Sequence, residues 1–313
     1  MASSTRPVNG QQSAVTRLNV LLICVVLGGT LFQLFGLPLV LKAFGVQAAW
    51  FLLPIMLLQP LHWGLIHEGI HARLLPTRRA NEFYSRLLSV ALGLPFDATR
   101  FGHLVHHRFP RHSYDRADVY DGRNSYSLAW LGYRFRLFGG VYLGELVSPF
   151  IAFVPASLGI RMVVGAIPLD EADDTVVRRL FASLVQNVPK RRRTRSGFAM
   201  TLALYAASAS LYGTWWPILL ATMYVRGIWH SFADNVSHHG VALDRRARAR
   251  NYTLPPMFHM LVMNHHLHLT HHLYPRVPWT LLGTIDLLKD EQPGSNYFHA
   301  ALAQANRIFP ARY

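Results

Sequence analysis

The chain has 313 residues, 51% of them hydrophobic and only 15% charged, and its 31 Lys and Arg against 16 Asp and Glu give a net charge of +15. With a mean hydropathy of +0.18, this composition suits a multi-span membrane protein better than a soluble domain. The single cysteine, Cys24, lies in an apolar run, which excludes a disulfide framework and any cysteine-held zinc or iron–sulfur site.

Residues 1–17 are small and polar with Arg6 and Arg17, and are expected to form a disordered arm ahead of a single membrane domain at 18–313. From Val20 to Leu41 there is no charge, which is length enough to cross a hydrocarbon core of about 30 Å at about 1.5 Å per residue. The run is longer than a signal-peptide core and lacks a small-residue cleavage site, so it reads as a retained span. A second uncharged run, Val46–Ile66, completes a first hairpin over 20–66 and delivers His67 to the membrane edge. Arg17 before the hairpin and Arg73, Arg78 and Arg79 after it place both outer ends in the cytoplasm by the positive-inside rule.

Phe83–Pro95 is too short to span and is expected to pack at the interface. Leu137–Leu158 is apolar but carries Glu145, Pro149 and Pro155, and reads as a re-entrant or interfacial segment more readily than as a span. Val176, Val177, Leu180, Phe181, Leu184 and Val185 recur at helical spacing opposite Arg178 and Arg179, the pattern of an amphipathic helix. The basic run Lys190–Arg195 then anchors the chain on the cytoplasmic side. A second hairpin is expected at 197–229, turning at Gly213–Pro217, where Trp215 and Trp216 suit an interface. An even number of crossings is needed to return the C-terminal part to the side of the first hairpin's ends. The expected architecture is therefore an all-α integral membrane protein with two hairpins, about four spans, interfacial helices and a cytoplasmic histidine-rich cap.

That cap holds the chemistry. His67 and His71 stand four apart in HEGIH; His103, His106 and His107 stand at i, i+3 and i+4 in HLVHH; His268, His271 and His272 repeat the triplet in HLTHH. At helical spacing each group presents its imidazoles to one side, where they can converge on a metal. A single cluster would be weak evidence, because short histidine-rich tracts also occur as exposed polar surface. Eight histidines exceed the roughly four ligands of a tetrahedral zinc, so the count calls for two metals. Imidazole suits iron, zinc, copper and nickel alike. His62, His112, His259 and His299 stand apart and read as structural or exposed.

HEGIH, HLVHH and HLTHH followed by LYPRVPW resemble the three histidine boxes of the integral-membrane fatty acid desaturase and hydroxylase family, with LYP in place of the usual LFP. The match runs from His67 to Trp279. The resemblance implies a centre of two non-haem iron ions that activates O2 as co-substrate. Asn235 and His239, in the 235–239 stretch, are similar to the family's additional NxxxH motif. By that match His239 is a ninth histidine ligand and Asn235 holds an iron-bound water, with His238 at the alternative spacing. Glu68, His238, His266 and Asp234, with Asp97, Asp115 and Asp118, are candidates to orient the ligands, and His265 joins them as a neighbour of the third box.

Implied by the resemblance is O2-dependent desaturation of a long acyl chain carried as lipid, acyl-CoA or acyl carrier protein. Hydroxylation, or carotenoid ketolation, by the same type of centre is the alternative. No flavin or dinucleotide fingerprint is present, so two electrons per turnover are expected from a separate ferredoxin or cytochrome-like donor. The net positive charge suits an acidic partner or anionic lipid. Nucleic acid is not expected, since the basic runs adjoin membrane segments. His67-Glu68-Gly69-Ile70-His71 also fits the HExxH zinc-protease motif, but that reading leaves two boxes unused. A histidine-rich metal transporter would place its ligands within the spans, and here the boxes lie at span ends.

Overall fold

The computed structural model describes residues 9–122, 125–167, 172–244, 246–288, 291 and 293–310. Residues 1–8 of the expected arm lie outside the described residues, whereas residues from Asn9 onward are already helical. α1 (Asn9–Leu31) runs through a π turn at Phe32–Gly36 into α2 (Leu37–Phe44). Gly45, at φ +75°, turns the chain back through a 3-10 stretch, Val46–Phe51, into α3 (Leu52–Leu57) and α4 (Gln59–Ile70). This is the first hairpin, and its arms Ser13–Phe44 and Val46–Ile70 are long and apolar enough to cross a membrane.

The π turn has a structural consequence. Its wider helical turn points Gln33 into the protein, where the side chain donates to Thr222 at 2.9 Å and is fully buried. The main-chain carbonyls of Gln33 and Leu34 accept from the Tyr212 and Ser208 hydroxyls at 2.7 and 2.8 Å. Those donors come from α11 (Val188–Tyr212), which with α12 (Trp216–Val236) makes the second hairpin, turning at Gly213–Trp215 as expected. Polar groups thus tie the two hairpins, although three helices rather than the expected four are long and apolar enough to cross a membrane among the described residues, and neither α11 nor α12 is one of them.

α5 (Arg78–Leu92) forms where an interfacial helix is expected. Thr77 caps its start by accepting from Ala80 N, and Gly93 at φ +89° ends it in the left-handed conformation. Its buried Leu88 and Leu92 pack with Leu65, Ile66 and Ile70 of α4 in one core. α6 (Phe96–Arg108) follows, and a two-residue strand β1 (Val119–Tyr120) later pairs in parallel with β2 (Phe309–Pro310), fastening the C-terminal segment.

The stretch expected to be re-entrant differs in detail. Tyr126–Ala152 is also long and apolar enough to cross, but it is not one rod. α7 (Tyr126–Phe135) and α8 (Val141–Val147) are separated by a kink at Phe138 and Gly139, the latter at φ +108°. Beyond Pro149 the helix tightens and ends, and its free carbonyls at Ala152 and Val154 accept from Arg191 and Arg195 at 2.5–3.2 Å. Part of the basic run therefore caps a neighbouring segment. α9 (Ala156–Gly165) and α10 (Asp174–Gln186), the expected amphipathic helix, pack together beside it. α13 (His268–Leu273) and α14 (Tyr297–Ala303) complete the cap at the end of the bundle where α4 and α12 finish.

Candidate metal centre

Three elements bring the boxes together. α4 carries His67 in its last turn and presents His71 at its C-cap; α6 carries HLVHH in its final turns; α13 is HLTHH itself. Their imidazoles form two clusters. His67, His71, His103, His107 and His271 make one, and His106, His238, His268 and His272 make the other; within each, the ligand atoms all lie within 4.8 Å of one another.

Each triplet is divided, contrary to convergence on a single ion. On α6, His103 and His107 enter the five-histidine cluster and His106 the other; on α13, His268 and His272 enter the four-histidine cluster and His271 the other. Residues four apart differ by about 40° around a helix, whereas the third member points about 60° to the other side. One short helix can therefore serve two adjacent ions.

The geometry suits metal. In the five-histidine cluster the Nε2 atoms of His71 and His107 each stand 3.0 Å from that of His103, and His271 Nε2 stands 3.1 Å from that of His107. In the other, Nε2–Nε2 separations of 3.1 Å join His238 to His106 and to His268, and His272 to His268. Two nitrogens about 2.1 Å from one ion and at right angles would be about 3 Å apart. His67 Nε2 is buried without a hydrogen-bond partner, a loss that a bound cation would offset.

Burial, with neighbouring charge, keeps these imidazoles neutral and able to ligate. Burial, then Arg100 and Arg73, lowers His71 to about 4; burial, then His71, lowers His107 to about 2; burial, then His106, lowers His238 to about 3. The far nitrogens are fixed as well. His238 Nδ1 donates to the Arg248 carbonyl at 2.8 Å, which directs the Nε2 lone pair into the cluster. His106 Nδ1 donates to Asp115 Oδ2 at 2.5 Å, and Arg136 stands 3.5 Å from the other carboxylate oxygen. Burial alone would raise the Asp115 carboxyl, but His106 and Arg136 outweigh it and hold it at about 2.

The structure places His238 where the sequence favoured His239. α12 ends at Val236, and the following turn sends adjacent side chains in different directions. His239 faces the Arg307 carbonyl at 3.0 Å and stacks on Tyr133. Asn235 donates to the Tyr133 hydroxyl and Gln304 Oε1, at 2.9 and 2.8 Å. This turn is pinned by the buried pair Arg111–Asp118: Asp118 accepts from Gly240 N, and Arg111 donates to the His238 carbonyl. Gly240, at φ +61°, lies so close to Phe309 that a Cβ would meet its ring at 2.5 Å, so a side chain there would be strained and would displace that ring.

Other candidates have varied surroundings. Glu68 accepts from Trp279 N at 3.3 Å, linking the first box to the segment after the third. Asp97 pairs with Arg86 at 2.6 Å, and Asp234 stands 3.9 Å from Arg136. His266 stacks on His259 with ring centroids 4.4 Å apart, and His265 Nδ1 lies 3.2 Å from the Tyr297 hydroxyl. His62 bonds the Leu88 carbonyl at 2.9 Å, consistent with its structural reading.

Three residues around the cavities that reach the centre carried no sequence motif. Trp63 has its ring centroid 6.4–6.5 Å from those of His67 and His103, and 4.4 Å from that of His230. His230 Nε2 is 3.3 Å from Glu145 Oε2. Arg226 is 1% exposed in the middle of α12. A cavity of about 410 Å³ reaches His67, His268 and His271, and another of about 640 Å³ reaches His103 and His106; Trp63 lines both.

Residues 43–301 match the family model described as Fatty acid desaturase. No curated protein and no solved structure gives a significant match.

Proposed function

Because the chain belongs to the fatty acid desaturase family, we propose that it is a membrane-bound, O2-dependent non-haem di-iron enzyme that introduces a C=C bond into a long acyl chain. The observation that supports this reading is the presence of two imidazole clusters, five and four strong, beside a largely apolar cavity. In this reading His67, His71, His103, His107 and His271 hold one iron and His106, His238, His268 and His272 the other. Iron so held would supply the oxidant that an unactivated methylene requires. The overall change is R–CH2–CH2–R′ + O2 + 2e⁻ + 2H⁺ → R–CH=CH–R′ + 2H2O, with the electrons from a separate ferredoxin or cytochrome-like protein.

The chain's own residues bind, orient and enclose. Asp115 and the Arg248 carbonyl hold Nδ1 protons, so that His106 and His238 present their Nε2 atoms inward. Trp63, Met263 and Phe232 line the cavity and keep water from the reacting carbon. Arg73, Arg78 and Arg79 follow α4, and Lys190–Arg195 begin α11, which favours the cytoplasm, or the inner face of a bacterial inner membrane, for the histidine end. Against a zinc protease, Glu68 is occupied with Trp279 N, and His67 and His71 lie among three further histidines.

The test is elemental analysis of detergent-purified protein, with mass spectrometry of lipids from expressing and non-expressing cells. About two irons per chain and products lighter by two hydrogens are expected. A gain of oxygen instead would assign a hydroxylase or ketolase. One zinc per chain with unchanged lipids would overturn the reading.

A further inference from the structure

The cavity of about 410 Å³ that reaches His67, His268 and His271 is lined by α4, α12 and α14. Most of its lining is buried. The lining residues that are exposed are Val225 and Trp229 of α12 and Phe298 and Leu302 of α14, and all four are apolar. Its opening therefore lies between these two helices. The opening is held from behind by Gln304, just past α14, which is buried, donates to the Phe232 carbonyl of α12 at 3.2 Å and accepts from Asn235 at 2.8 Å.

The surface around the opening has the same character. Along α12, Trp216, Leu220, Tyr224, Val225 and Trp229 are all exposed, whereas Arg226 and His230 are buried. That outward face runs for about 20 Å without a charge, and such a face is at home against hydrocarbon, not water. Met257 and Met260, 80% and 54% exposed, extend it beside α14, where the Phe258 ring packs edge-on against that of Phe298 with centroids 5.2 Å apart. Trp229 lies seven residues before the last residue of α12. It is thus roughly 10 Å from the histidine end, a depth that suits a tryptophan at the boundary of lipid and water. The cavity that reaches His103 and His106 differs, because Asp115, Arg136, Arg191 and Asp234 line it, and an alkyl chain entering there would pass charged groups.

We propose that the opening between Trp229 and Leu302 is a lateral portal, through which one acyl chain of a bilayer glycerolipid enters from the leaflet at the histidine end. The methyl end leads, and the ester and head group stay in the interface. The substrate is then a lipid already resident in the membrane, not a chain delivered by a water-borne acidic carrier. Such a carrier docks through charged groups, and none of the exposed residues that line the opening is charged. The proposal rests on the reading that this cavity receives the substrate, and adds where the chain comes from.

The test uses the protein as purified, in phosphatidylcholine nanodiscs without O2 or an electron donor, so that nothing turns over. Two probe lipids are compared, phosphatidylcholines with a photoactivatable diazirine either near the methyl end or near the ester of one chain. Mass spectrometry of the irradiated protein should find the methyl-end probe on Trp63 and Met263, which are buried in the cavity wall, and the ester-end probe on Trp229 and Leu302. The same methyl-end chain carried on an acyl carrier protein should leave Trp63 and Met263 unlabelled. The double variant F298K/L302K should reduce labelling of Met263 at least about fivefold, since an alkyl chain must then pass two ammonium groups. Labelling of Leu21 and Leu39, exposed on the first hairpin, should stay unchanged. Methyl-end labelling confined to outward positions such as Leu21 and Leu39 overturns the proposal. So does stronger labelling of Met263 from the carrier, or undiminished labelling of Met263 in a folded F298K/L302K protein. Dimers in which Met257 and Leu302 escape both lipid probes would give this face to a second copy of the chain, which also overturns it. The two wild-type labelling patterns decide the matter if the double variant fails to fold. Neither iron nor turnover enters the readout, so failure here is distinct from failure of the desaturase reading.

Discussion

The imidazoles of His107 and His272 stack face to face, with ring centroids 4.2 Å apart and planes inclined by 19°, although His107 belongs to the five-histidine cluster and His272 to the other. The two ligand sets therefore share a wall. His71, by contrast, has ring contacts to His67, His103, His107 and His271, all of its own cluster.

His272→Ala should consequently disturb both sites and His71→Ala mainly one. Each is expected to lower oxidation by at least about a hundredfold, more than the loss of a residue that merely orients a ligand. Metal analysis should find both ions depleted in H272A and about one retained in H71A. Full retention of one ion in H272A would show that the stacked pair transmits nothing.

The His238/His239 pair gives a sharper contrast. His238→Ala removes a nitrogen standing 3.1 Å from two others, and should lose metal and activity. His239→Ala removes a bond to the Arg307 carbonyl, and should cost about 1 kcal/mol of stability with metal content unchanged. The reverse pattern would restore the ligand assignment drawn from the NxxxH spacing.

Asp115 acts on the centre through His106. Asp115→Asn keeps the side-chain shape but weakens the hold on the His106 Nδ1 proton, and should lower affinity at the four-histidine site by roughly 10–100-fold. A competition titration with a chelator measures it. An unchanged affinity would reduce the contact at 2.5 Å to a surface feature.

Much of this was legible because helices translate spacing into direction. The i, i+3, i+4 triplets announced clustered imidazoles, and long uncharged runs announced the first hairpin. What spacing could not show was the division of each triplet between two clusters, since that depends on how α6 and α13 face each other. Nor could it choose His238 over His239, a choice made by the α12 terminus and the buried Arg111–Asp118 pair. Leu137–Leu158 was ambiguous for a physical reason: the Phe138–Gly139 kink and Pro149 break a stretch whose composition alone would span. Nothing in the sequence singles out Arg226, and only the packing of Gln33, Gln59 and Tyr205 around it shows that it is buried.

Acid should weaken the metal-free protein. Burial foremost lowers His71, His265 and His266 to about 4, His238 to about 3 and His107 to about 2, from an ordinary value of 6.5. Below 6.5 the unfolded chain takes up protons at these positions and the folded chain does not, so the stability they contribute is present above 6.5 and is lost as pH falls toward about 4. Each such histidine contributes up to about 1.4 kcal/mol per pH unit in that window. His106 works the other way: burial would lower it, but Asp115 outweighs burial and raises it, so its contribution is kept in acid. The lowered imidazoles, among which His103, His268, His271 and His272 also count, outnumber the raised groups, and thermal unfolding of chelator-treated protein at pH 7.5, 6, 5 and 4 should show a falling midpoint. With metal bound the fall should be steeper, because protons and metal then compete for the same nitrogens. A midpoint that stays level from pH 7.5 to 4 without metal would mean that these imidazoles are not held neutral by burial.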